Sequence, residues 1–174
     1  MSDSPIRSQP RNYNLLSSTG FNFMIKKLPN VNFFTESINI PGKKIYHTDQ
    51  VTPLVNIPLW GNKLLYNDLT VTFKVDEDFH NYEEISMWLD GLGQPSSIAQ
   101  RYPLDTKERI GEGKLSDCII TITTNVKNSN MRFILRDAFP ISISDIVFSS
   151  TQSNEEHIIA TAIFKYMDMK LERV

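Results

Sequence analysis

The side chains able to do chemistry in this chain are few and far apart. It has three histidines, His47, His80 and His157, and one cysteine, Cys118. A structural zinc site wants about four nitrogen or sulfur ligands at short spacings, and no histidine here pairs with Cys118 in that way. Cys118 alternates with Ile120 and Ile122 and reads as a small buried packing residue. Nucleophile-elbow, phosphate-loop and H-E-x-x-H patterns are missing. The glycine pairs Gly91/Gly93 and Gly111/Gly113 lack a third glycine and read as turn residues. Asp76, Glu77 and Asp78 have the charge density of a cation site. They precede a helical pattern, however, where carboxylates complement the helix dipole. Lys26-Lys27 and Lys43-Lys44 lack the interleaved aromatics of a nucleic-acid platform and suit solvated or inter-subunit ion pairs. No catalytic residue, metal ligand, cofactor site or small-molecule substrate is expected, and the chain is not read as an enzyme.

The elements that would carry these residues belong to one domain. With 174 residues, 40% hydrophobic, 22% charged and a formal net charge of −2, the chain suits a soluble globular unit with its own core. That charge gives no general basic field for nucleic acid. One cysteine excludes an internal disulfide and fits folding in a reducing cytoplasm. Residues 1–19, rich in Ser, Pro, Asn and Arg, lack the apolar core of a signal peptide and read as a flexible segment. No apolar run approaches the about 18 residues of a membrane helix. Residues 20–174 then form the single domain.

Along that domain Phe21, Phe23 and Ile25 alternate as a strand, and a second strand is read over 31–40, ending at Pro41-Gly42. An arm follows over 43–59, with Pro53 and Pro58 at edge or bulge positions and a turn at Trp60-Gly61-Asn62. Leu69, Val71, Phe73 and Val75 give the cleanest period of two. Phe79, Tyr82, Ile85, Trp88 and Leu92 recur at helical spacing, so 79–92 is one amphipathic helix with these five as its core stripe. Asn81 with Glu84 fits a capping box, and Gly91 and Gly93 end the helix. Residues 94–115 form a long irregular connection of the kind that often makes contacts. Strands follow over 118–123 and 131–138, a break at Phe139-Pro140, a strand over 141–148, and a long final strand over 157–171. The fold class is mainly β (α+β): an antiparallel β-sandwich or barrel with one flanking helix.

The arm decides the class of function. It is too polar for a core and too β-prone for a linker. A strand pair with no core of its own needs a partner, and an unprotected edge invites pairing with another chain. The chain therefore reads as an assembly subunit. A monomeric β-barrel binding a small ligand is the alternative of another class, and this arm would have nothing to close upon.

The order of motifs carries a resemblance. A strand ends in I-P-G, the arm follows, and then come D-L-T-V-T-F-K-V-D-E-D and a helix closing in M-W-L-D. Near the C-terminus D-A-F-P-I-S-I-S-D-I-V-F-S-S-T precedes a strand ending F-K-Y-M-D-M. Over about residues 21–171 this resembles the tail tube proteins of T4-like contractile-tailed bacteriophages. The resemblance implies subunits in hexameric rings, stacked into a hollow tube within a sheath. Six arms would merge into one closed β-barrel, and the genome would pass through its lumen. The inner tube of a contractile injection or type VI secretion system shares that architecture and is the nearer alternative.

The partners so implied are copies of the chain, the sheath protein, and baseplate and tail-terminator proteins. Duplex DNA would pass transiently without specific binding, and no membrane is involved. The site would be the virion tail, assembled in the bacterial host cytoplasm. Lys43, Lys44, Tyr46, Thr48, Asp49, Thr52, Leu54 and Asn56 are the expected lumen-lining and ring-forming residues of the arm. The lumen should be mainly neutral to acidic, with one positive ring from the arm's base. Arg7, Arg11, Arg101, Lys107 and Arg109 are the expected contacts between rings or with the sheath.

Overall fold

The computed structural model describes residues 13–93, 113–149 and 157–174. Within them nine strands and two helices are assigned. The strands are β1 (Phe21–Ile25), β2 (Thr35–Ile38), β3 (Lys43–Val51), β4 (Asn56–Tyr66), β5 (Leu69–Lys74), β6 (Ser116–Thr123), β7 (Ser129–Ile143), β8 (Ile159–Lys165) and β9 (Asp168–Arg173). The helices are α1 (Pro29–Phe34) and α2 (His80–Leu92).

All the strand pairings are antiparallel, and seven strands form one sheet in the order β1-β6-β7-β8-β5-β2, with β9 also on β7. Strand β7 folds that sheet over on itself. Its first part pairs with β6 and β9, and its last part, from Phe139, pairs with β8. Asp137 takes φ 55° at the bend, with its N–H donated to Asp117 Oδ1 at 3.1 Å. A single bulged residue of this kind bends a strand and sharpens its twist. The result is a sandwich whose two layers share β7, with β1 and β2 as the end strands.

The core lies between those layers. Phe23, Ile25, Cys118, Ile120 and Leu135 come from one side, and Leu69, Val71, Phe73, Ala162 and Phe164 from the other, all buried. The alternation read in β5 is realised strictly, buried at Leu69, Val71 and Phe73 and half-exposed between them. Burial of large apolar side chains at period two fixes the register, since a slip of one residue would put the whole set in water.

Four details differ from the sequence reading, each for a local reason. The strand read over 31–40 begins as α1, because Pro29 presets the first helical turn. Asn32 then holds it by hydrogen bonds to both the N–H and C=O of Ile25, at 2.8 and 2.9 Å. A run as short as Val31–Phe34 has no period long enough to separate helix from strand. Pro140 does not end β7. It sits beside a register shift, where its missing N–H costs nothing. Only Ile141–Ile143 of the strand read over 141–148 belongs to β7, with no strand assigned over 144–148. The long final strand is β8 and β9 end to end along β7, broken at Tyr166-Met167 opposite the Asp137 bend, where Met167 N–H bonds Arg136 C=O at 3.0 Å.

Helix α2 covers the sandwich as read, with Ile85 and Trp88 buried and Tyr82, Leu89 and Leu92 packed at the margin. Phe79 departs from the stripe. It is the left-handed residue before the helix, 37% exposed, its ring near Tyr82 and Phe148. The cap is Asp76, not Asn81 with Glu84. Its carboxylate accepts the N–H groups of His80 and Asn81 at 3.3 and 3.2 Å. Asn81 is buried and donates to Lys74 C=O at 2.7 Å, while Glu84 accepts from Asn30 Nδ2 at 2.7 Å. Gly91 lies inside the helix, and only Gly93 stands at its end.

Candidate assembly interface

The arm stands apart from the sandwich as its own two-stranded sheet, β3 with β4. The hairpin is longer than the 43–59 read from the sequence, because Trp60-Gly61-Asn62 lies within β4 and does not turn the chain. The turn is at 52–55, where the Thr52 hydroxyl bonds both the C=O and the N–H of Val55. Opposite Tyr46 the β4 strand carries three residues, Gly61, Asn62 and Lys63, between the pairs Ile45↔Leu64 and His47↔Trp60. Gly61 makes that bulge possible. A Cβ there would stand 2.8 Å from Tyr46 O, closer than packing allows.

The bulge adds two residues, so the alternation of faces keeps its phase along both strands. Lys43, Ile45, His47, Asp49 and Val51 share one face with Asn56, Pro58, Trp60, Leu64 and Tyr66. Lys44, Tyr46, Thr48 and Gln50 share the other with Ile57, Leu59 and Leu65. The expected lumen residues are thus divided. Lys43, Asp49 and Asn56 lie on the first face, Lys44, Tyr46 and Thr48 on the second, and Thr52 and Leu54 at the tip. Along its length the arm is exposed, Trp60 at 82% and Ile45 at 56%. An isolated two-stranded hairpin is marginal in water, so this one depends on what it touches.

At its base it touches the sandwich through the first face. Asn67 N–H bonds Gly42 C=O at 3.0 Å, closing the two strands together. Tyr66 Oη donates to Asp168 Oδ1 at 3.1 Å, and Asp168 also pairs with Arg136. These two donors, the guanidinium first, hold the Asp168 carboxyl below the usual carboxylate range. Lys43 Nζ lies 5.5 Å from the Tyr66 ring centre and donates to Met169 C=O at 3.4 Å. The Tyr66 and Tyr166 rings are 5.5 Å apart, and Tyr166, with its hydroxyl buried, is pushed up to about 12, chiefly by burial. Lys165 and Asp68 form a further ion pair at 2.7 Å. Sequence reading missed this cluster, because its members come from β3, β4, β7, β8 and β9 and share no motif.

A second cluster holds the end of the long connection. Trp88 Nε1–H donates to Lys114 C=O at 3.0 Å, and Lys27 Nζ donates to Gly113 C=O at 2.7 Å while lying 4.5 Å from the Trp88 ring centre. Desolvation lowers Lys27 to about 8. Lys27, read with Lys26 as a solvated or inter-subunit ion-pairing residue, is therefore structural. The expected contacts Arg7, Arg11, Arg101, Lys107 and Arg109 lie outside the described residues. Among the described residues, no three His, Cys, Asp or Glu side chains gather as a metal would need, and no helix is long and apolar enough to cross a membrane.

The described residues thus form a sandwich with a closed core and a projecting hairpin that has no core of its own. The chain belongs to the phage tail tube protein family, whose sequence profile matches residues 9–172. No curated protein sequence matches it. Among solved structures it is similar to a chain of the anti-feeding prophage tube-terminating cap, with TM-score 0.63 and 10% identity over 99% of this chain and 100% of that one. A chain of the anti-feeding prophage baseplate gives TM-score 0.59 and 13% identity, covering 95% and 97%. A chain of the sheath/tube terminator of an extracellular contractile injection system, PVC, gives 0.59 and 11%, covering 94% and 99%. At these identities the likeness is one of fold.

Proposed function

We propose that this protein is the repeating inner-tube subunit of a contractile phage tail, forming hexameric rings that stack into a hollow tube through which the genome enters the host. The observation that carries the reading is the β3–β4 arm, a long hairpin with exposed edges and apolar side chains and no core of its own. Such edges cease to be a liability when a ring closes and each finds a neighbour. Head-to-tail contacts that close give rings, and stacking of rings gives a filament. Membership of the phage tail tube family supports the same reading.

On this reading the arms of six copies form the wall of the lumen. Sheath, baseplate and terminator proteins are the other partners, and assembly takes place in the host cytoplasm before the tail joins the virion. Residues 1–19 and 94–115 bridge rings or meet the sheath, with Arg7, Arg11, Arg101, Lys107 and Arg109 as the cations. DNA passes without being held, because phosphate contacts would add affinity where release is needed. The similar folds in contractile injection systems support a second reading, the inner tube of a contractile injection or type VI secretion system. Capsid and terminase genes beside this one would separate the two.

The test is size-exclusion chromatography with light scattering, followed by negative-stain microscopy of the pure protein. Six-fold rings or rods are expected. A 20.0 kDa monomer at every concentration would overturn the proposal.

A further inference from the structure

The two faces of the arm are not equivalent, and the difference says which one meets a neighbour. The first face, with Ile45, Val51, Trp60 and Leu64, is the one that turns toward the sandwich at the arm's base, through Tyr66 and Lys43. Beyond the base it runs out over nothing, leaving Trp60 82% exposed and Val51 80% exposed. The second face carries Ile57, Leu59 and Leu65 along β4 as well as Lys44, Tyr46, Thr48 and Gln50 along β3, and none of its apolar side chains is as exposed as Trp60 or Val51.

The sandwich carries a matching surface. Its end strands β1 and β2 leave a mostly apolar groove between them, where Leu16, Phe21, Ile38, Ile40 and Ile122 stand among serines, Thr19 and Glu36. Charge also fits a contact between copies. Residues 43–66 hold three lysines and one aspartate, a net +2, which leaves −4 on the rest of a chain of net −2. A cationic apolar arm and an anionic body with an apolar groove complement each other head to tail.

We infer that the first face of the arm, centred on Trp60, docks on the β1/β2 groove of a second copy of this chain, leaving the Lys44–Tyr46–Thr48–Gln50 face to water. The assignment rests on the proposed ring assembly and adds which residues form the joint. Trp60 is the anchor, since exposed tryptophans that become buried dominate interface energetics. Lys43 stays on its own chain at the arm's base, while Lys63 lies at the bulge, where it can meet the anionic body. Lys44 alone of the arm's three lysines is assigned to the water-filled side, which gives one positive ring. Asp49 and Asn56 move from the lumen to the joint.

Thiol labelling tests this directly, because the native Cys118 is buried and its thiol is pushed up by burial, so it stays silent. Trp60→Cys, Ile40→Cys and Gln50→Cys are compared before and after assembly with a small maleimide. Protection of at least about tenfold on assembly is expected at Trp60→Cys and Ile40→Cys and none at Gln50→Cys. Equal labelling of Trp60→Cys in free and assembled protein, or protection of Gln50→Cys as strong as that of Trp60→Cys, overturns the assignment. Should Trp60→Cys fail to assemble, Trp60→Ala and Gln50→Ala decide. A critical concentration raised at least about tenfold by the first alone supports the joint, and equal effects refute it. A wild-type chain that never assembles strikes the proposed function itself, whereas wild-type tubes with an open Trp60→Cys strike only this joint.

Discussion

Tyr66 and Asp168 stand 102 residues apart and meet at 3.1 Å, phenol to carboxylate, where the arm leaves the sandwich. Arg136 holds the other oxygen of the same carboxylate. The arm has no ladder to the sandwich, so this contact and Lys43 on Met169 C=O set its angle. A ring closes only when that angle is right.

Removing the carboxylate should therefore harm assembly more than folding. Asp168→Asn is expected to keep the melting temperature within a few degrees, since exposed ion pairs contribute little, and to lower the yield of rings at neutral pH. The carboxyl is held low in the folded chain, so its contribution is present above the unfolded value of about 3.9 and lost only as pH falls through the lowered one. This contact should thus support wild-type assembly, followed by light scattering, down to about pH 4. Rings from Asp168→Asn in full yield would remove the role given to this contact.

Gly61 should tolerate no side chain. An added Cβ would meet the backbone oxygen of Tyr46 at 2.8 Å, and backbone cannot swing aside as a side chain can, so the bulge must open. Gly61→Ala is expected to leave a folded monomer by circular dichroism while abolishing rings by microscopy. Normal rings would show that the bulge does not shape the joint.

Trp88 should behave as core. It is 2% exposed, bonded to Lys114 C=O and near Phe164 at 6.3 Å between ring centres. Trp88→Ala is expected to cost about 3–5 kcal/mol in urea unfolding. An unchanged midpoint would place Trp88 on a contact surface instead.

Lys27 beside it gives a pH signature. Burial brings its ammonium down to about 8. Between that value and the about 10.4 of an unfolded lysine, the unfolded chain keeps a proton that the folded chain has shed. Stability from this group therefore rises with pH across the window. Unfolding midpoints of wild type and Lys27→Met at pH 7.5 and 9.5 should diverge in favour of the wild type at the higher pH. A constant gap would mean that Lys27 does not titrate in this range.

The sequence by itself determined what depends on neighbours along the chain. The period-two burial of Leu69, Val71 and Phe73, the helical stripe through Ile85 and Trp88, and an arm too polar for any core were all legible. So were the antiparallel β class and the family likeness, which rests on the order of motifs. Tertiary structure decided what depends on distant residues. That Trp60-Gly61-Asn62 stays in a strand follows from pairing with His47 and Tyr46. That 31–34 is a helix follows from Asn32 reaching Ile25. That β7 passes through Pro140 follows from the register shift beside it in the pairing with β8. The contact of Tyr66 with Asp168 and Arg136 joins three strands with no shared spacing, and the split of the arm into two unequal faces required its register. Local pattern reports which side chains seek burial, but only the folded chain says what each one meets.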